Sequence, residues 1–377
     1  MSHGAGGVTR RDFLAASALV PAAFWPQSDS ERFLATVPLG NPGGAPTAPL
    51  HRLLGNGLDA RLFTDLSAID PRDPKTLITP NDRYYIRTAS PGDVAGAARF
   101  RRTDLAALER DAVRVGPYVM ECAGNADPAN FGLLSAAAWE GVPVPALLDR
   151  LPKPAPNARV LVTGVDDSGP ARTSVPGASW IFSRDQLDRA LLVTRMNDAA
   201  LPQHHGAPAR LMVPGWYGCA CIKWVDRIAF VANDAPATSQ MIEFAERTHQ
   251  PFDSPGKLRS LRAADYEPPV IDTAAIPVRV EKWAVRGRIE YRITGIIWGG
   301  AKPTNALSIR FKVNEAWAKV DDCPLAASPL TWSTWTHTWR PQSPGRYEIV
   351  LRVDDPTIRT RRLDLFYYVR SIDIIEV

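Results

Sequence analysis

Between residues 78 and 250, short apolar runs rich in β-branched and aromatic side chains alternate with stretches whose apolar positions recur at helical spacing. Residues 84–87, 118–122, 159–164 and 209–213 read as strands, whereas 103–109 and 184–193 read as helices. A mixed α+β unit is predicted there. Beyond Pro268 and Pro269 the pattern changes. Residues 278–283, 288–298, 307–313, 330–339, 347–353 and 363–375 are β-branched and aromatic runs separated by turn residues, which predicts an antiparallel β-sandwich. Residues 30–75, rich in Pro, Gly and Leu without a clear period, are expected to be an arm packed on the main body.

These runs add up to two units rather than one, because 377 residues exceed what a single core of ~250 residues accommodates. The divisions are 1–28 as a leader, 29–265 as the α+β unit and 270–377 as the sandwich. The leader reading rests on Arg10 and Arg11, followed by Phe13, Leu14 and a short apolar stretch to Trp25. Such an arrangement is that of a twin-arginine export signal, and it predicts a periplasmic protein that crosses the membrane already folded. Pro21 disfavours the competing reading of this stretch as a first helix.

Composition narrows the chemistry by exclusion. A formal net charge of +4 with no run of Lys and Arg gives no support to nucleic-acid binding. The 34 prolines are spread along the chain, as in long ordered loops. The four cysteines, at 122, 219, 221 and 323, could be paired in part in an exported protein, but a chain of this size needs no disulfide framework, and Cys219 and Cys221 stand too close together for a Cys-x-x-Cys metal or redox pair.

Cys122 follows the strand-like Pro117, Tyr118, Val119, Met120 and Glu121, and it precedes Ala123, Gly124 and Asn125. A thiolate at such a strand end, before a turn that glycine permits, suits a soft metal ion. A lone cysteine is more often a small buried hydrophobe, so its surroundings decide. Downstream lie Asp166, then His205 to Arg210, then Pro214 to Gly218, then Ile222, Lys223 and Trp224. Arginine and lysine beside glycine-containing loops suit a phosphate-bearing cofactor, with Arg210 a candidate bidentate phosphate ligand and Lys223 a point charge.

The run Glu121-Cys122-Ala123-Gly124-Asn125 with Trp139-Glu140-Gly141, the stretch from Met196 to Arg210, the run Val213 to Gly218, and Ile222-Lys223-Trp224 together resemble the sulfite oxidase family of molybdopterin enzymes. Tyr84 to Arg87 is similar to that family's first cofactor-contacting segment. The resemblance implies a sulfite oxidase-like α+β molybdopterin-binding domain followed by an all-β immunoglobulin-like sandwich that serves in dimerisation. It implies a molybdenum-molybdopterin cofactor with Cys122 as the thiolate ligand of the metal. Tyr85, Ile86, Arg87 and Thr88 would contact the pterin and an anion pocket, and Asp166, His205, Arg210, Cys221, Ile222 and Lys223 would make the remaining cofactor contacts. Arg87 would also help to hold substrate.

Two departures from the family pattern bear on substrate. Members that oxidise sulfite often carry arginine after Cys-Ala-Gly-Asn, where this chain has Ala126 and Asp127. Many place a tyrosine about 21 residues beyond the lysine, where this chain has Phe244. A C-terminal family arginine is matched by Arg362. The expectation is an oxidoreductase acting on a small-molecule or carrier-bound sulfur compound other than free sulfite, with electrons passed to a separate acceptor such as a cytochrome c. Two other classes stand beside it: a cofactor-binding or interaction protein of the same fold that has lost turnover, and an exported β-rich binding module without metal.

Overall fold

The computed structural model describes residues 30–41, 55, 60–88, 109–125, 131–168, 178–248, 252–254, 257–258 and 261–377. The expected leader, the expected helix at 103–109 apart from Glu109, and Ala126 all lie outside these residues. Along the chain the strands are β1 (Glu31–Val37), β2 (Arg61–Leu62), β3 (Ile86–Arg87), β4 (Val113–Glu121), β5 (Leu134–Pro143), β6 (Arg159–Gly164), β7 (Ser179–Phe182), β8 (Leu191–Met196), β9 (Ala199–Ala200) and β10 (Arg210–Met212). There follow β11 (Val225–Val231), β12 (Phe252–Ser254), β13 (Lys257–Leu258), β14 (Ala274–Val285), β15 (Arg288–Trp298), β16 (Leu307–Arg310), β17 (Ala318–Lys319), β18 (Ser333–Trp339), β19 (Gly345–Val353) and β20 (Arg370–Ile374). The described residues also include two five-residue helices, α1 (Val144–Leu148) and α2 (Ser239–Glu243), the helical residues Glu109 and Arg110, and several one-turn 3-10 helices.

Sheet therefore dominates the unit expected to be α+β. Its main sheet runs β10-β8-β5-β4, with β9 paired to β8, and a second sheet runs β11-β6-β7. The expected helix at 184–193 is a correction: a single 3-10 turn at Asp185–Leu187 leads into β8. The cause is burial on both faces. Lying between β5 and β10, Leu191, Leu192 and Val193 are all covered, so the strand shows no apolar/polar alternation. With Leu187 and Ala190 ahead of it, the run imitates a helical stripe.

The second unit consists of two four-stranded antiparallel sheets, β1-β14-β15-β18 and β17-β16-β19-β20. Phe311, next to β16, stacks on Trp339 of β18 with ring centroids 4.0 Å apart, which joins the two sheets. Its edge strand β1 comes from the other end of the chain, with Glu31 opposite Val285 and Val37 opposite Val280. Part of the segment read as an arm is thus a strand of this sandwich.

One local feature positions the site. Strand β4 carries a register shift between Val115 and Tyr118 against β5, and Gly116 sits there at φ 100°. A Cβ at Gly116 would stand 2.9 Å from the Ala137 carbonyl, so glycine alone fits the kink. Beyond it Val119, Met120 and Glu121 are buried and deliver Cys122 to the end of the sheet.

Candidate active site

A cavity of about 290 Å³ opens at that strand end. Tyr85, Ile86, Arg87, Thr88, Cys122, Asp166, His205, Arg210, Cys221, Ile222 and Lys223 all line it. They come from β3, the turn after β4, the 3-10 turn Val165–Ser168 and the segments flanking β10, so the fold gathers sequence runs spread over more than a hundred residues.

Cys122 is fixed by its backbone. Its N–H donates 2.9 Å to the Leu133 carbonyl, and its carbonyl accepts from Asn125 N–H at 3.0 Å. The sulfur receives the Gly124 N–H at 3.4 Å. Burial pushes the thiol up, while the Gly124 N–H and the charges of Arg87 and Arg247 oppose that rise. This is a thiol whose ionised form needs further positive charge, as a metal ion provides.

The opposite wall is tied together by Lys223. Its ammonium donates to the carbonyls of Arg87 (3.2 Å), Thr88 and His204 (3.1 Å), and it lies 4.2 Å from the Trp224 ring. Burial, with Arg210 nearby, pushes its pKa well below the usual lysine value. Thr88 stands at φ 65°, a left-handed conformation that a β-branched residue adopts only when its surroundings hold it. Lys223 supplies that hold on one side and the Ala60 carbonyl, 2.8 Å from the Thr88 N–H, on the other.

Arg210 departs from the expected role of a free fork. Its two terminal nitrogens donate 3.0 Å to the His205 and Cys221 carbonyls. Nη2 also donates to Met120 Sδ at 3.2 Å, so a bidentate grip on phosphate through both nitrogens would compete with these bonds. His205 is driven down to about 3 by burial, against the hydrogen-bonding influence of the Asn81 carbonyl 3.0 Å away, so it is neutral at physiological pH. Phe244 faces the cavity as a bare ring at the end of α2. Gly218 also lines the cavity, and a Cβ there would meet the Tyr85 hydroxyl at 2.8 Å, so a larger residue would displace that ring.

Other cationic residues were not singled out in the sequence. Arg61 lines the cavity from β2. Arg247 donates from Nε to the Ala123 carbonyl at 3.0 Å and lies 5.3 Å from the Tyr217 ring. Arg362, expected to match a family arginine, instead forms an exposed pair with Asp364 at 2.7 Å and lies away from the cavity. Arg83 lines a different cavity beside Trp332. The neighbouring Arg361 is the buried one.

Residues 78–239 match the oxidoreductase molybdopterin binding domain. The site therefore belongs to a molybdopterin-binding domain. Among curated relatives, the nitrate reductase [NADPH] of Beauveria bassiana is 36% identical over 133 residues, which is 31% of this chain and 14% of that protein. The mitochondrial sulfite oxidase of Macaca fascicularis is 28% identical over 194 residues, covering 45% of this chain and 35% of that protein. The matched segments thus span a third or so of these relatives at most. Among solved structures, the sulfane dehydrogenase SoxCD from Paracoccus pantotrophus superposes with a TM-score of 0.61 over 89% of this chain and 94% of that one, at 18% identity, and so shares the fold. Over its molybdopterin-binding domain the chain is similar to the sulfite oxidase family of molybdopterin-dependent oxidoreductases, and the cofactor this implies is molybdenum-molybdopterin.

The residues present fit that group. Among the described residues, two buried polar atoms of residues lining the cavity, the Tyr84 hydroxyl and Arg210 Nε, have no hydrogen-bond partner, a costly state in an apolar wall. Arg61, Arg87 and Lys223 suit phosphate or oxyanion charge, and Cys122 suits a soft metal. Replacing Lys223 with methionine is expected to free the 87–88 and 204 carbonyls and to lower molybdenum and pterin retained per chain by about tenfold or more. Metal analysis and pterin fluorescence of the purified variant check this, and full occupancy would count against it.

Proposed function

We propose that the protein is a periplasmic molybdenum-pterin oxidoreductase that oxidises a sulfur compound and passes the electrons to a separate acceptor such as a cytochrome c. The observation carrying this reading is the Cys122 sulfur at a strand end, facing a cavity walled by Arg61, Arg87, Arg210 and Lys223. Support for a sulfur substrate comes from relatives that are sulfite oxidases and a fold neighbour that is a sulfane dehydrogenase. When bound, the cofactor supplies a metal centre able to exchange two electrons and an oxygen atom. Cys122 would hold the metal through its thiolate, and Tyr84, Tyr85 and Arg210, which line the cavity, would contact the pterin. Arg87, aided by Arg61, draws an anionic substrate toward Cys122. Neutral His205 serves as a hydrogen-bonding group rather than a charge. The C-terminal sandwich, in this reading, is immunoglobulin-like and forms a homodimer.

Free sulfite is expected to be a poor substrate. Phe244 offers no hydroxyl to the cavity, and the chain has Ala126 where a cation would serve. A lost charge-assisted hydrogen bond costs roughly 1.5–3 kcal/mol, or about one to two powers of ten. Ala126→Arg combined with Phe244→Tyr should therefore raise sulfite turnover by about tenfold or more. Steady-state kinetics with an artificial electron acceptor test the reading, together with a screen of carrier-bound sulfur substrates. Efficient sulfite oxidation by the unmodified protein would refute the substrate assignment. The bare Phe244 ring also favours a second reading, a cofactor-binding protein without turnover; it would be upheld if no substrate in the screen reduced the bound molybdenum.

Export by the twin-arginine route follows from Arg10 and Arg11. Replacing both with lysine is expected to leave a folded, cofactor-loaded precursor in the cytoplasm. Fractionation reads the outcome, and normal periplasmic yield of the double variant would rule the route out.

A further inference from the structure

Glu121, the last residue of β4, directly precedes Cys122 and is 0% exposed. A carboxylate there requires a full set of donors. Oε1 accepts from Asn125 Nδ2 at 2.9 Å and from Arg361 at 2.6 Å, and Oε2 accepts from the Trp298 indole at 2.8 Å. The Glu121 carbonyl accepts the Gly218 N–H at 2.7 Å. Arg361, itself buried, also donates to the hydroxyls of Tyr217 and Tyr368. Asn125 then turns its Oδ1 to the N–H groups of Gly132 (3.0 Å) and Leu133 (3.3 Å), the latter being the residue whose carbonyl holds the Cys122 N–H.

The turn that carries the sulfur is thus fixed from two sides. One side is its own β4–β5 connection; the other consists of Trp298 at the end of β15 and Arg361 between β19 and β20, both outside the matched molybdopterin domain. We propose that Arg361 and Trp298 are positioning residues for Cys122, acting through Glu121, so that the C-terminal sandwich sets the direction in which the sulfur meets the metal. The proposal rests on Cys122 being the metal's ligand. Overlap between a thiolate sulfur and a metal depends on the torsion about the Cβ–S bond. A small tilt of the turn therefore alters the electronic properties of the centre without emptying it.

The test uses the full-length, cofactor-loaded protein and needs no substrate. Trp298→Phe removes one indole donor while keeping an aromatic ring, and Arg361→Lys keeps the charge but not the fork. Trp335→Phe is the control, since its indole donates to the Ile296 carbonyl at 3.2 Å and does not touch Glu121. The readouts are the sulfur-to-molybdenum charge-transfer absorption, the paramagnetic resonance g-values of the half-reduced metal, and the midpoint potential in a mediated titration. Trp298→Phe and Arg361→Lys are expected to shift all three at unchanged molybdenum content, and Trp335→Phe to leave them in place. Spectra of Trp298→Phe that superimpose on the wild type overturn the proposal even if Arg361→Lys fails to fold. Equal shifts in all three variants overturn it too, because general packing between the units would then be the cause. If the charge-transfer band survives in Cys122→Ser, the ligand reading itself fails, which separates that failure from this one.

Discussion

Turnover is expected to fall by about three powers of ten or more, equivalent to ~4 kcal/mol in the activation barrier, when Cys122 is replaced by serine. The substitution is nearly isosteric. Among the described residues the sulfur's hydrogen bond is the long contact from Gly124 N–H at 3.4 Å, while the position of the residue is set by backbone bonds that serine keeps. Folding should therefore survive and the loss should be chemical. A neutral hydroxyl is a poor substitute for a soft, ionised thiolate on molybdenum. The measurement is turnover per bound molybdenum with whichever substrate reduces the wild-type centre. Wild-type turnover by Cys122→Ser with metal still in place would sink the ligand assignment.

The second large effect is on stability. Glu121→Ala is expected to lower the unfolding free energy by about 3–5 kcal/mol, because it strands the buried Arg361 guanidinium without its carboxylate. For a unit of this size each kcal/mol corresponds to roughly 2–4 °C, so Tm should drop by about 10 °C. Arg361→Met in the same background should add little further loss, since the partner whose absence it would expose is already gone. Chemical denaturation of the two single variants and the double variant gives the coupling. A loss below about 1 kcal/mol for Glu121→Ala would mean that water reaches the pair and that the network is not closed.

The parts of this architecture that could be read from the residues are those where local pattern and tertiary need coincide. Strands β6 and β15 fall where their β-branched runs place them, because each carries its own hydrophobic faces to a core. Most of the eleven residues gathered round the cavity were reached through the family resemblance, because they sit in or beside contiguous motifs; Asp166 stands alone in the sequence. Strand β8 misled because it is covered on both faces. Arg61 gave no signal, lying on a two-residue strand that exists only through its pairing with β3. Arg361 and Arg362 show the limit most clearly. The two are adjacent arginines, and nothing in the local sequence tells which is taken inward; that is decided by a carboxylate 240 positions earlier in the chain.

The pairing of β1 with β14 has a consequence for the order of assembly. Residues 31–37 are among the first of the described chain to be synthesised, yet their partner strand ends at Val285. Until that strand exists the early segment has no ladder to join, and the edge of β14 stays open until it does. Closure of this edge is a long-range, late event in folding. Whatever precedes residue 30 is therefore covalently attached to an element that docks only when the strand ending at Val285 is available. A pull applied at the chain before residue 30 would bear on a strand of the finished sandwich once β1 has docked, and on an unpaired segment before then.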